Sequence, residues 1–162
     1  MKIIAIDIGK KGGIACVTAS TTYFDHIVRT WPMPMAGNVP DTGTIRAILE
    51  EYKPNLVVIE SVHAMPKQGV SSTFTFGRSF GRIETIVEML RIPHELITPQ
   101  KWKATVLAGT AKDKAAAIEY VQRRHPDVNL IQPKCRTPHD GIADAICMAD
   151  AGLKLFGMER AA

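Results

Sequence analysis

The segment Leu56-Val57-Val58-Ile59-Glu60 sets four consecutive apolar residues between Pro54-Asn55 and a terminal carboxylate. A short run that is apolar on both alternating positions reads as a strand buried on both faces. Before it, Thr44 to Tyr52 carries Ile45, Ile48 and Leu49 at helical spacing, with Asp41 or Thr42 placed to cap the helix. After it, His63-Ala64-Met65-Pro66-Lys67-Gln68-Gly69 reads as a loop. Ser71 to Leu90 then forms a long helix with Phe76, Phe80, Ile83, Ile86, Val87 and Leu90 on one face. Pro93 stops that helix and His94 to Thr98 is a strand. Pro99 opens another helix at its first turn, where a missing N–H is harmless. Strands separated by helices in this way belong to parallel βα units.

The chain upstream has a different rhythm. Residues 2–8 alternate and then run apolar into the turn Asp7-Ile8-Gly9-Lys10-Lys11-Gly12-Gly13, which feeds a second run, Ile14-Ala15-Cys16-Val17-Thr18. That is the pattern of an antiparallel hairpin. A third strand is expected from Tyr23 to Trp31, after the turn-like Ser20-Thr21-Thr22, followed by a loop containing Pro32, Pro34, Gly37, Pro40 and Gly43. Downstream, Asp113 to Arg124 is an Ala-rich helix ended by His125-Pro126, and Thr137-Pro138 opens a last helix that reaches about Phe156. The expected fold is therefore α/β, a five-stranded mixed sheet of three antiparallel strands followed by parallel βα units, with helices on both faces. No repeat or linker divides the chain, so one domain over residues 1–162 is expected.

Composition narrows the class. With 46% apolar and 22% charged residues in 162, the chain can bury a sizeable core without staples and is not of disordered type. No window approaches the ~18 apolar residues of a membrane span, and the start, with Asp7 inside the first apolar stretch, lacks the pattern of a signal peptide. Cys16, Cys135 and Cys147 are odd in number and have no CxxC spacing, which argues against a disulfide framework or structural zinc. A reducing, cytoplasmic setting is expected, with no membrane partner and no organic cofactor. The net charge of +4 leans toward an anionic partner such as nucleic acid.

Four acids stand out by position. Asp7 ends the first strand, Glu60 ends the apolar strand, and Asp140 and Asp144 lie four apart on the last helix, sharing a face. Each has an ordinary structural reading: a turn residue for Asp7, an ion pair for Glu60, a capping box with Thr137 for Asp140. Asp144, among Ile142, Ala143, Ala145 and Ile146, is the hardest to place without a partner. Should the strand ends and the helix meet, four carboxylates converge, and hard divalent cations relieve the repulsion. Two such ions ~3.5–4 Å apart suit phosphodiester hydrolysis.

The Asp7-x-Gly9 strand end, Glu60 after its apolar strand, and His139-Asp140 with Asp144-Ala145 resemble the RuvC-type Holliday junction resolvases of the RNase H-like superfamily, phage-borne members included. The resemblance runs from Lys2 to about Leu155 and takes in Thr98-Pro99, Lys103, Gly109 and Lys114 in order. It departs at position 141, a Gly here; the bacterial enzymes space their last two acids by three, this chain by four. The resemblance implies an RNase H-like nuclease domain acting as a homodimer in a bacterial cell or phage-infected host. It would resolve four-way junctions and other branched DNA by paired symmetric nicks, using two Mg2+ ions (Mn2+ substituting) and leaving 5′-phosphate and 3′-hydroxyl ends. Asp7, Glu60, Asp140 and Asp144 would be metal ligands, Lys114 a catalytic neutraliser of phosphate charge, and Lys103 and Lys114 DNA contacts. His139 is open as a ligand or water-orienting group, or as a solvated residue of the first helical turn.

Further DNA contacts are expected from Lys67, Gln68, Arg78 and Arg82, with Lys101, Lys112, Lys134 and Arg136 adding to the basic surface. Phe74 or Phe76 is placed to stack on a base at the junction centre, or to join the core. Gly77 and Gly81, one helical turn apart, leave a smooth strip for another helix, within the chain or from a second copy. Two other readings are a nuclease of the superfamily that processes ribosomal RNA and, outside the enzymes, a non-catalytic module binding branched DNA. The two-domain ATPase fold that shares the Asp-x-Gly hairpin needs a second domain of similar size, for which 162 residues leave no room.

Overall fold

The structure is a computed structural model that describes residues 1–19, 26–61 and 69–157. The chain begins with strands β1 (Lys2–Ile6), β2 (Gly13–Ala19) and β3 (His26–Pro32), and then a small hairpin, β4 (Met35–Ala36) with β5 (Val39–Pro40). Helix α1 (Thr42–Tyr52) leads to β6 (Leu56–Glu60), α2 (Val70–Met89) and β7 (His94–Ile97). Helices α3 (Pro99–Val106), α4 (Lys114–Arg124) and α5 (Asp140–Phe156) complete it. The main sheet has the order β3-β2-β1-β6-β7. The first three strands pair antiparallel, and β1, β6 and β7 run parallel. This is the expected mixed five-stranded sheet.

Period-two alternation sorts the strand side chains into two cores. Ile3, Ala5, Ala15, Val17, Leu56 and Val58 face α3, α4 and α5, while Ile4, Ile6, Ile14, Cys16, Val57 and Ile59 face α1 and α2. Helices therefore cover both faces, and the four apolar residues of β6 are each fully buried, as an all-apolar strand requires. On the second face, α2 contributes Ile83 and Val87, with Phe76, Phe80, Ile86 and Leu90 packed around them, as its spacing predicts.

The start signals act through their side chains. The Asp41 carboxylate accepts from the N–H groups of Gly43 and Thr44, so Asp41 caps α1 and Thr42 lies inside it. Thr98 and Asp113 cap α3 and α4 in the same way, with Pro99 in the first turn of α3. Two readings needed correction. The Pro- and Gly-rich stretch is not all loop, because Gly37-Asn38 turns a β4–β5 ladder two residues long, too short to show any period. The last helix starts at Asp140, and its cap is His139, whose Nδ1 accepts from Ile142 N–H at 3.2 Å. A bond from His139 N–H to the Leu130 carbonyl holds residue 139 outside the helix, which leaves Thr137 too far upstream for the capping box. The expected Ser20-Thr21-Thr22 turn and Tyr23 fall outside the described residues.

Helix α4 is fixed to α5 by a buried polar link. Asp150 Oδ2 accepts from the Tyr120 hydroxyl at 3.0 Å and lies 2.8 Å from His125 Nε2. Among the described residues, no helix is long and apolar enough to cross a membrane.

Candidate active site

Register places the first two acids side by side. Ala5 pairs with Val58 and Ile6 with Ile59 across the parallel β1–β6 ladder, and Ala5 and Val58 both face α5. Two residues further along each chain come Asp7 and Glu60, so alternation aims both carboxylates to the α5 side at the same end of the sheet.

Glycine brings the third element in. The backbones of Gly12 and Gly141 pair as an isolated β-bridge, so the first turn of α5 lies directly on the β1–β2 turn. A Cβ on Gly141 would collide with the Lys11 carbonyl oxygen and Gly12 Cα, and one on Gly12 with the Asp7 carbonyl oxygen. The glycine at 141 is therefore a condition of this close approach. It sets Asp140 and Asp144 beside Asp7.

The four acids form one electrostatic unit with two kinds of member. Burial raises the Asp7 carboxyl above its ordinary value, against the N–H of Gly9, which donates to Oδ1 at 3.1 Å; the charge of Asp140 raises it further. Burial pushes Glu60 up to about 7, with the charges of Asp7 and Asp144 adding and the Trp102 N–H and Lys103 opposing. Burial lifts Asp144 to about 6, with Asp7 and Asp140 adding and Lys103 and Lys114 opposing. Asp140 goes the other way. Its Oδ2 accepts from the Lys114 ammonium, which holds it below the usual carboxylate range, and Lys114 is raised in return. Among the described residues no ion pair compensates Asp7, Glu60 or Asp144.

Three mutually repelling carboxylates without an ion pair of their own are a donor set of hard oxygens, the chemistry that magnesium or manganese takes. The residues fit such an ion in kind. Among the described residues, however, no three His, Cys, Asp or Glu side chains are drawn together as a finished metal cage. They are neighbours in charge rather than a closed coordination shell.

The remaining candidates sort by position. Lys114 is exposed at the start of α4 and Lys103 is half-buried, its Nζ 5.3 Å from the centre of the Trp102 ring. Arg78 is exposed on α2. Arg82 turns inward: one of its amino groups donates to the Thr42 hydroxyl at 3.3 Å, and its buried Nε has no partner among the described residues. Phe74 is 71% exposed, whereas Phe76 packs against the α2-side core. His63, Lys67 and Gln68 lie outside the described residues. Trp102 was not foreseen as a site residue. Its indole Nε1–H donates to Glu60 Oε1 at 3.0 Å while the ring is fully buried. The available signal was general: a buried tryptophan needs an acceptor for its N–H.

Strand order, parallel ladder and helix placement define an RNase H-like fold of the type found in Holliday junction resolvases. RuvC of Thermus thermophilus in complex with a Holliday junction substrate superposes with a TM-score of 0.73 at 16% identity, covering 98% of this chain and 96% of that one. Another structure of Thermus thermophilus RuvC gives 0.69 at 16% identity, over 98% and 97%. The resolvase of Fowlpox virus, solved with Holliday junction DNA, gives 0.59 at 19% identity over 95% and 97%. No protein-family profile matches the chain, and no curated protein does.

Proposed function

We propose that this chain is a divalent-metal-dependent endonuclease that resolves four-way DNA junctions, cutting branched DNA by paired nicks that leave 5′-phosphate and 3′-hydroxyl ends. One observation carries the reading: Asp7, Glu60 and Asp144, from two adjacent parallel strands and the helix across them, are half-buried carboxylates that raise one another's affinity for protons and form no ion pair among the described residues. The resolvase fold supports it.

Asp7, Glu60 and Asp144 would hold the ions, with Asp140 at the edge of the cluster. Bound there, two magnesium ions would supply an activated water and stabilise the leaving oxygen. The chain's own residues supply the rest. Lys114, exposed and next to Asp140, and Lys103, braced on the Trp102 ring, bring positive charge to the rim of the acid cluster, where a scissile phosphate would lie. The network of Asp150 with Tyr120 and His125 holds α4, and hence Lys114, against α5.

The reading includes a homodimer paired through α2. Val70, Phe74, Gly77 and Gly81 fall on the helix face opposite the one that buries Ile83 and Val87. Val70 and Phe74 are 87% and 71% exposed, and a Cβ added at Gly77 or Gly81 would meet nothing within 4 Å. No described element of this chain requires those glycines. A second copy of the same helix is the occupant that a smooth strip of this kind suits, and two-fold pairing would present two acid clusters to a two-fold symmetric junction. A gel with purified protein, a fixed synthetic four-way junction and Mg2+ tests the function. Symmetric nicks that disappear on chelation are expected. Absence of cleavage, or equal cutting of linear duplex or structured RNA, would overturn it.

A further inference from the structure

Glu60 is aimed by a neutral donor from another element. The Trp102 Nε1–H donates to Glu60 Oε1 at 3.0 Å, across 42 residues of sequence and from α3 to the end of β6. Its ring is fully buried in the core beneath α5, with Val106 and Ile97 as further members, so the donor cannot drift. Thr98 and Pro99 fix the first turn of the helix that carries it. Asp140, by contrast, is held by the ammonium of Lys114.

The difference matters for ion binding. An indole N–H is a donor only, so it takes one lone pair of Oε1, never competes as a ligand, and leaves the carboxylate its full negative charge. An ammonium in the same place would cancel that charge. The N–H lies at the ring's edge, while the Lys103 ammonium lies over the ring at 5.3 Å from its centre, so one side chain both orients an acid and braces a cation at the cluster's rim.

We propose that Trp102 is a positioning residue for divalent-cation binding, fixing the Glu60 carboxylate so that its remaining oxygen lone pairs are presented to the ion. This rests on the metal-dependent reading above. Partners that orient a ligating group in this way change metal affinity by roughly 10–100-fold when removed.

The test is calorimetric titration of the intact protein with Mn2+, comparing wild type with Trp102→Phe, which keeps most of the ring and removes the N–H. Mn2+ affinity is expected to fall by roughly 10–100-fold, with junction cleavage by the variant largely recovered at saturating Mn2+. Equal affinity in the two proteins would overturn the proposal and leave the nuclease reading standing. Wild type that binds no Mn2+ would overturn both. A second measurement covers a variant that fails to fold: in Trp31→Phe, Trp102 is the sole tryptophan, and its emission should shift as Mg2+ saturates the site. An unchanged spectrum in a protein that does bind Mg2+ would also sink the proposal.

Discussion

Glu60 shows what burial does to a single carboxylate. Its ordinary value is 4.5 and its folded value about 7, while Asp144 goes from 3.8 to about 6. Between those limits the folded chain holds protons that the unfolded chain has released, so stability is greatest at low pH within the window and falls as pH rises. Without metal, the melting temperature should drop from pH 5 to pH 8, and added Mg2+ should raise it more at pH 8, where protons no longer compete for the carboxylates. A melting temperature indifferent to pH over that range would refute the assignment. Glu60→Gln removes the repulsion as well as a proposed ligand. It should therefore raise metal-free stability at pH 8 while cutting junction cleavage by roughly 10³-fold, the several kcal/mol that a bound ion supplies. Gel-shift binding of the junction should survive, because no phosphate contact is lost, and Asp7→Asn should likewise separate binding from cleavage.

Glycines on two helices meet opposite surroundings. On α5, Gly141 permits contact within the chain, backbone against backbone with Gly12. Gly141→Ala should cost about 1–3 kcal/mol, the range for forcing an extra methyl into a packed contact, and it should weaken cleavage by shifting Asp140 and Asp144 away from Asp7. Thermal melting and the junction gel measure the two effects. On α2, Gly77 and Gly81 face open space. Gly77→Leu should leave the fold intact, since a glycine inside a helix is itself unfavourable by roughly 1 kcal/mol, yet shift the protein to monomer in light scattering at micromolar concentration. A Gly77→Leu protein that remains dimeric would place the seam elsewhere.

Across the whole molecule, the sheet acts as a partition with the proposed site at one end. Asp7, Glu60 and the start of α5 meet where β1 and β6 end, and Lys103 and Lys114 flank them from α3 and α4. Affinity for a junction should fall steeply with salt, and Lys103→Ala or Lys114→Ala should each reduce the slope of log affinity against log salt by about 1. Fluorescence anisotropy over a salt series measures this. Arg82→Ala is expected to leave the slope unchanged, because that guanidinium is engaged with Thr42 at the start of α1. A reduced slope for Arg82→Ala would show that it leaves Thr42 to reach DNA.

Much of this was legible in local pattern. Four apolar residues before Glu60, the Asp7-to-Gly13 turn and the helical spacing of α1 and α2 define the strands, the hairpin and the order of a mixed sheet, because periodicity and turn chemistry act over a few residues. Asp7 and Glu60 could be singled out by the strand ends they occupy, and Asp140 and Asp144 by their spacing of four on an otherwise apolar helix. Their division could not, since it depends on partners far away in sequence: Lys114 pairs with Asp140 across 26 residues and Trp102 with Glu60 across 42. His139 as the cap of α5 follows from the bond of its N–H to Leu130, which no spacing announces. Nor could sequence say which glycines meet backbone and which meet open space. Local rules determine what each segment becomes, whereas burial, charge compensation and close approach are properties of segments once packed together, and those only the tertiary structure decides.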